Sequence, residues 1–464
     1  MREVRNRSSG KGRLLLLLLA LLISAGFMPA PSASGAEEGE TAYIVKYKES
    51  AAWRAPGQPF DVVGEGEMRL LRDAGLLEWY EPDGEMRLLD FHSSLYYAED
   101  KWDLTLINAE PAFGKGALGE GVRVGVLDSG VNPVPFLADS LLPGRNYMED
   151  GEEDDTGDNY GHGTLVAALI AGQGEEGYVG AAPGAVIVPL KITDGKAIMV
   201  SAVCRAIYGG IDDFDCDVLN LSLGATSDYQ ALREAIDYAA ERGVVVVAAV
   251  GNNGTRGRLY PAEYESVIGV GAVDGGGRAS NRSNHNESVF LTAPGVNVKT
   301  AGKLGGYTTA TGTSFSVPYV TAAAAVMLGL DPLLTPEDIA SILGETARDA
   351  GARGWDEYYG WGILDLGACA EKLGGAADPG EHETPCGFLS AVTLVNFTDE
   401  DIDCTYLLAE YDTEGVCLAV SARRFILPAR GRARVEPPGS GLYGQFVYET
   451  DTMIPLADAR KTTN

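Results

Sequence analysis

Hydrolysis needs a nucleophile, a base that takes its proton, and a place for the negative charge that develops; the base is most often a histidine. The chain has four histidines, His92, His162, His285 and His382. Of these, only His162 lies in a glycine-flanked turn, Tyr160-Gly161-His162-Gly163-Thr164, directly before an apolar helical stretch. No His-Glu-x-x-His is present, which removes the commonest zinc-hydrolase pattern. Asp128 closes the apolar run Val124-Gly125-Val126-Leu127-Asp128-Ser129-Gly130. If that run is a buried parallel strand, its carboxylate stands at the sheet edge where such folds place their sites. Ser314 lies in Thr311-Gly312-Thr313-Ser314-Phe315-Ser316-Val317-Pro318, ahead of the small apolar run 320–328. Small neighbours let another chain reach the hydroxyl, and Pro318 fits only near the start of a helix, where unpaired backbone N–H groups can hold an oxyanion. Taken singly, a turn-capping Asp, a helix-start His and an N-cap Ser are the commoner roles for such residues.

The elements that must position these three are legible from about residue 120. Short apolar runs rich in β-branched residues predict strands at 122–127, 186–192, 218–223, 244–250 and 267–273. Helical stretches are expected at 164–171, 197–208 and 228–242, the last stopped by Gly243. Strands apolar on both faces and separated by helices give a mostly parallel sheet covered on two sides, hence a three-layer α/β domain. Thr335-Pro336-Glu337-Asp338 opens a late helix with an N-cap, a first-turn proline and acids near the positive helix end. A strand at 43–47 and a helical stretch at 68–77 suggest a small α+β unit at the N-terminal side. Residues 374–385 read as a linker. Beyond them, stretches at 388–397, 406–411, 416–427, 432–435 and 443–448 predict a small all-β domain over 386–464. No repeat of solenoid or propeller period is present.

The 464 residues carry 36 Lys plus Arg against 66 Asp plus Glu, a net charge of −30 that repels phosphate backbones and argues against a nucleic-acid partner. With 45% hydrophobic residues and 22% charged, the chain can bury a full core. Arg2, Arg5, Arg7, Lys11 and Arg13, the apolar run 14–23 and the small residues up to Ala36 read as a secretory signal, residues 1–36, cut near Ser34-Gly35-Ala36. The run is about half of the roughly 20 residues that cross a bilayer, so no membrane span is expected once the signal is removed. Six cysteines in an exported chain allow three disulfides. A hairpin across Thr413-Glu414 would hold Cys404 and Cys417 too far apart to bond. Cys204 with Cys216 stays open, as do buried free thiols.

Asp-Ser-Gly at 128–130, Gly-His-Gly-Thr at 161–164 and Gly-Thr-Ser at 312–314 followed by Pro318 occur in the chain order Asp, His, Ser. Together they resemble the three signatures of the subtilisin-like serine proteases, the subtilases. The resemblance runs from about Trp102 to Leu366 and takes in Val218-Leu219-Asn220-Leu221-Ser222-Leu223-Gly224, Ala248-Ala249-Val250-Gly251-Asn252-Asn253-Gly254 and Tyr359-Gly360-Trp361-Gly362. It implies Ser314 as nucleophile, His162 as general base and then acid, Asp128 as the group that orients the imidazole, and Asn252 as an oxyanion donor. It implies Ser222, Leu223 and Gly224 as the strand that pairs with an extended peptide substrate, and Ala249, Val250 and Gly251 as the other wall of the specificity pocket.

The resemblance is not complete. The nucleophile motif of the family usually continues Met-Ala-x-Pro-His, and here Phe315, Ser316 and Tyr319 stand instead. The segment 252–261 is shorter than in subtilisin, which brings Leu259 near the pocket floor. The loop 173–180 is also short, which weakens the case for a strong calcium site; a structural calcium ion stays open without a clear motif, and no other cofactor or metal ligand is expected. Residues 149–158 hold seven carboxylates and no base, a solvated loop or an attractor of cations, whether calcium or basic substrate residues.

By the same resemblance, residues 37–98 are expected to be a propeptide that assists folding and blocks the site, with self-cleavage around Tyr96 or Tyr97. The catalytic domain is then 99–373. The expected product is a secreted, monomeric serine endopeptidase acting on peptides or proteins, its own propeptide included. The rival reading is a catalytically silent secreted binding protein on the same scaffold.

Overall fold

The computed structural model describes residues 41–48, 59–89, 92–94, 102–149, 151–173 and 178–374, and six strand backbones between 392 and 462. Its centre is a seven-stranded sheet in the spatial order Leu291–Pro294, Val267–Val273, Val245–Ala249, Val218–Leu221, Arg123–Asp128, Val186–Lys191, Arg145–Asn146. Every neighbouring pair in it is parallel. Successive side chains of a strand leave on opposite faces. Accordingly Val245, Val247 and Ala249 join one apolar cluster, with the helices His162–Ala171 and Val317–Leu330. Val246 and Ala248 join the other, with the helices Val200–Asp212 and Gln230–Glu241. This is the expected three-layer arrangement.

The first layer's helices are apolar all round because they have no wet face: all ten residues of His162–Ala171 are buried. The stretch Thr313–Leu330 is long and apolar enough to cross a membrane, yet 89% of it is buried inside the domain. The second layer's helices are amphipathic, with their apolar faces on the sheet.

Two sheet strands were not anticipated. Arg145–Asn146 is only two residues long, and Leu291–Pro294 ends in proline and lacks a β-branched run. The expected strand 218–223 divides into Val218–Leu221 and Leu223–Gly224, which belong to different sheets. The helix expected from 197 begins at Val200, because Ile198–Met199 is an extended pair with Glu85 and Met86. Thr335 caps the helix Pro336–Thr346 reciprocally with Asp338, as its sequence predicts.

The N-terminal unit is α+β. Strands Asp61–Gly64, Ala42–Tyr47 and Leu77–Pro82 form an antiparallel sheet in that order, with the helix Glu65–Asp73 on it. That helix starts and ends earlier than 68–77, since Gly75 turns the chain at φ 71°. The unit docks on the second layer through polar pairs. Lys46 Nζ and Trp79 Nε1 reach the Glu234 carboxylate at 2.8 and 2.7 Å. The Glu81 carboxylate accepts from the backbone N–H of Gln230 and Ala231 at 3.0 and 2.7 Å, and Asp83 accepts from Ser201 N–H at 3.0 Å. Glu81 and Asp83 thus sit at the positive N-terminal ends of two helices.

The C-terminal strands are all antiparallel: Cys417–Leu427, Ile402–Tyr411, Leu442–Glu449 and Pro455–Thr462 form one sheet, and Val392–Val395 pairs with Arg432–Val435. Cys404 pairs with Phe425 and Cys417 with Tyr411, at opposite ends of one ladder, which keeps these cysteines apart. Cys204 and Cys216 are buried free thiols, so the disulfide left open between them is absent. The signal segment 1–36, residues 95–101 around the expected self-cleavage bond and most of the linker lie outside the described residues.

Candidate active site

The chain leaves the first central strand, Arg123–Asp128, toward one sheet edge, and later returns to place Val218–Leu221 on its other side. Open parallel sheets put their clefts at the carboxyl ends of strands at such a reversal. Asp128 ends one of those strands, and Ser222 follows the other. His162 is the first residue of its helix, and its Nδ1 lies 2.8 Å from Asp128 Oδ2 and 2.9 Å from Oδ1. Both side chains are fully buried, and Ser129 N–H donates to Asp128 Oδ1 at 2.7 Å. The approach needs glycine at 163: a Cβ there would lie 2.1 Å from the Gly130 carbonyl and 3.0 Å from Asp128 Cβ.

Asp158 holds this geometry from behind. It is 3% exposed, and its carboxylate accepts from Ser129 Oγ at 2.8 Å, Gly161 N–H at 2.6 Å, Thr164 N–H at 2.9 Å and Thr164 Oγ at 2.6 Å. A carboxylate at the start of a helix is favoured by the helix dipole, and here it ties the His162 turn to the Asp128 turn through Ser129. Sequence reasoning did not single it out, because it closes an acidic run in which no position looks special. The rest of that run is partly engaged: Glu153 pairs with Arg145 at 2.9 Å, and the buried Lys191 reaches the Gly157 carbonyl at 2.6 Å and Asp155 at 3.6 Å.

Ser314 lies in the tight turn Thr313–Phe315 that leads into the helix Val317–Leu330. Its hydroxyl donates to the Ser222 carbonyl at 3.4 Å, while Ser222 Oγ donates to the Ser314 carbonyl at 2.9 Å. Phe315, the next residue, packs its ring 5.3 Å from the His162 imidazole. The Ser314 turn and the histidine are therefore neighbours, although 152 positions separate Ser314 from His162 in the chain. Asn252 Oδ1 accepts from Thr313 N–H at 2.8 Å and Thr313 Oγ1 at 2.9 Å, so the Asn252 amide is oriented against the turn that carries Ser314.

Ser222, Leu223 and Gly224 are buried, as are Ala249, Val250 and Gly251. A Cβ on Gly224 would meet Leu259 Cδ1 at 3.2 Å, and one on Gly251 would meet the same atom at 2.7 Å. Leu259 thus fills the space between the two glycines, as its place in the short segment 252–261 suggested. Ala225 and Tyr260 exchange backbone hydrogen bonds of 2.9 Å, which fix the Leu259 segment beside the strand Leu223–Gly224. The Val250 side chain belongs to the cluster of Leu221 and Leu223, in the opposite layer from Ala249.

The "Subtilase family" model matches residues 119–362. The chain belongs to the subtilase family. It is 30% identical over 366 residues to the "Thermostable alkaline protease" of Halalkalibacterium halodurans, across 77% of this chain and 98% of that one. It is 34% identical over 278 residues to "Subtilisin DY" of Bacillus licheniformis, across 58% and 98% of the two chains. Among solved structures it resembles fervidolysin from Fervidobacterium pennivorans, described as a keratinolytic enzyme related to subtilisin. The TM-score is 0.65 at 25% identity, covering 89% of this chain and 71% of that one. The protein is a subtilisin-like serine endopeptidase, and its substrates are peptides or proteins.

As a subtilase it departs from the usual nucleophile motif, and the structure shows how the departures pack. Tyr319 is 1% exposed and its hydroxyl bonds the buried Asp103 of the helix Trp102–Leu106. Burial and the adjacent carboxylate hold the Tyr319 phenol well above its usual value. Ser316 packs against Gly295, where a Cβ would lie 2.2 Å from Ser316 Oγ. His285 stacks on Tyr358, ring centroids 4.5 Å apart. Among the described residues, no group of three or more His, Cys, Asp or Glu side chains is placed to hold a metal ion. Asp150 and residues 174–177, in the two loops weighed for calcium, lie outside the described residues.

Proposed function

We propose that the chain is exported as a precursor and hydrolyses peptide bonds through Asp128, His162 and Ser314. Ser314 Oγ attacks the scissile carbonyl carbon while His162 Nε2 takes its proton; Asp128 holds Nδ1 and stabilises the imidazolium. The tetrahedral oxyanion is bound by Asn252 Nδ2 and the Ser314 N–H. Collapse breaks the C–N bond, the proton passes from His162 to the leaving amine, and water releases the acyl group by the same steps in reverse order.

The observation that carries this reading is the buried pair of Asp128 with His162, against whose imidazole packs Phe315, the residue next to Ser314. Attack requires the Ser314 hydroxyl, here donating to the Ser222 carbonyl, to give its proton to His162 Nε2, and catalytic hydrogen bonds often form only when substrate is bound. In the bound state Ser222, Leu223 and Gly224 pair with the peptide backbone, and Ala249, Val250 and Gly251 line the pocket opposite. Residues 1–36 direct export, the α+β unit after them acts as the propeptide, and the β-rich segment 386–464 is an accessory domain on a monomeric enzyme. The test is labelling of the processed protein by a fluorophosphonate, with Ser314→Ala as control. Loss of both labelling and proteolysis in the variant supports the reading; unchanged proteolysis refutes it.

A further inference from the structure

The turn that carries His162 is held from two sides. Asp158 takes up its N–H groups, at Gly161 and Thr164. Its carbonyls go to Lys303, whose Nζ donates to the Asn159 carbonyl at 2.8 Å and to the Tyr160 carbonyl at 3.4 Å. The lysine stem lies against Gly161, where a Cβ would come within 2.8 Å of Lys303 Cδ. Gly161 is the N-cap of the helix His162–Ala171 and has no side chain to cap it, so the first turn takes its position from these neighbours.

Lys303 sits at the tip of the hairpin that delivers Ser314. Strands Val298–Ala301 and Tyr307–Thr311 are antiparallel, Val298 opposite Ala310 and Ala301 opposite Tyr307. Between them Gly302 N–H donates to the Gly306 carbonyl and Gly305 N–H to the Gly302 carbonyl, both at 2.9 Å, which closes the turn around Lys303. Only Gly312 and Thr313 separate the second strand from Ser314. Within the first strand, the buried Thr300 Oγ1 donates to the Leu165 carbonyl of the His162 helix at 2.7 Å. Thr300 alone would let the hairpin pivot on that helix; Lys303, at the tip, supplies a second point of contact.

The turn after Asp128 joins through Asn132. Its Nδ2 donates to the Lys303 carbonyl at 3.0 Å and to the Asp158 carbonyl at 2.9 Å. Its Oδ1 accepts from Asp158 N–H at 2.8 Å, and its N–H donates to Thr164 Oγ1 at 3.0 Å. The carbonyl of residue 303 is thus bonded to the turn after Asp128, its ammonium to the turn before His162, and its own strand runs on to Ser314.

We infer that Lys303, together with Asn132, is a positioning residue that sets the approach of the Ser314 turn to the His162 imidazole. The inference rests on the proposed reaction and adds what holds its parts in register. Proton transfer from Ser314 Oγ to His162 Nε2 needs a separation of about 2.6 to 3.2 Å. A tilt of the hairpin misaligns that approach, whereas the strand Leu223–Gly224 belongs to a different sheet and stays in place. Loss of the Lys303 contact therefore acts on turnover and leaves peptide binding as it was.

The test is Lys303→Met, which keeps the stem against Gly161 and removes the ammonium, with Lys303→Arg restoring donors. Rates are taken at a temperature where each variant is fully folded by thermal melting, so unfolding cannot supply a loss. The Met variant should lose at least about 10-fold in kcat and a similar factor in the rate of fluorophosphonate labelling, with KM changed less than about twofold. The Arg variant should recover most of both. Unchanged kcat in Lys303→Met, a loss confined to KM, or an Arg variant no better than Met overturns the inference. Asn132→Asp keeps the oxygen that Asp158 N–H bonds and removes the donor to Lys303. It should also lower kcat, and the double variant should fall by less than the product of the two single losses. Losses that multiply in full overturn the claim that the two residues act as one unit. If Ser314→Ala is inactive while Lys303→Met turns over as the parent does, only this inference falls; an active Ser314→Ala overturns the reaction on which it rests.

Discussion

Asn252 Oδ1 accepts two hydrogen bonds from Thr313, one from the backbone and one from the hydroxyl, at 2.8 and 2.9 Å. Two donors on the oxygen fix which branch of the amide faces the Ser314 turn, and therefore where Nδ2 points. Oxyanion donors act by being oriented before charge develops. Asn252→Ala is expected to lower kcat by about 10² to 10³ with little change in KM, the scale known for this family's asparagine. Thr313→Val, which removes one of the two anchors, should lower kcat by a smaller factor. Steady-state kinetics on one peptide check both; a change confined to KM would contradict the assignment.

Asp128→Asn keeps the shape of the buried pair and removes the charge that orients His162. A fall of about 10⁴ in kcat is expected, as for the orienting acid in other triad proteases. The same variant should retain its melting temperature within a few degrees. Full activity would show that the buried pair is only structural.

Asp158 is the less obvious counterpart. Its four hydrogen bonds from Ser129, Gly161 and Thr164 span the turns that carry Asp128 and His162. Asp158→Ala would leave several buried donors unpaired, and a loss of about 3 kcal/mol in stability is expected. Because His162 is displaced and substrate strands are not, kcat should fall further than KM rises. Denaturant unfolding and kinetics on the same preparation separate the two effects.

Burial pushes the Asp83 carboxyl above its usual 3.8, and this outweighs the hydrogen bonds from Ser201 and the nearby Arg205 that pull it down; Glu149 adds to the rise. A carboxyl raised on docking holds its proton more tightly in the docked unit. Its contribution is complete below 3.8 and is lost as pH rises through the raised value. If the N-terminal unit is cut as proposed, it should therefore dissociate faster at pH 7 than at pH 4, and Asp83→Asn should shrink that difference. Inhibition by the separated unit, followed against pH, reads this directly.

Cys204, Cys216 and Cys369 are buried free thiols. Burial raises all three, Cys369 to about 11. A buried thiol kept protonated is a poor nucleophile. At pH 8 the native protein should leave these three unmodified by a thiol reagent, and denaturation should expose them. Peptide mapping distinguishes them from the cysteines beyond residue 385.

The three motif residues were legible because each comes with local chemistry that narrows its place. Gly161 and Gly163 bracket a histidine that must approach another turn, Asp128 ends an apolar strand, and Pro318 marks a helix start just after Ser314. Leu259 was also legible, from the length of one segment. Asp158 was not, since its burial depends on Ser129, 29 positions away. The placement of Leu89 beside Ser222 was equally hidden. Glu85-Met86-Arg87-Leu88-Leu89 has the pattern of any half-buried strand, and only its pairing with residues more than a hundred positions later shows where it lies. Short sheet members such as Arg145–Asn146 owe their conformation to a neighbour, here Leu190 and Lys191, rather than to their own propensity.

The central claim is that Ser314 is the nucleophile of a triad with His162 and Asp128. Mass mapping of a fluorophosphonate adduct tests it most directly. The account predicts a single adduct on Ser314 in the processed enzyme, lost in Ser314→Ala and nearly lost in His162→Ala. An adduct on another residue, or undiminished labelling after either substitution, would contradict it.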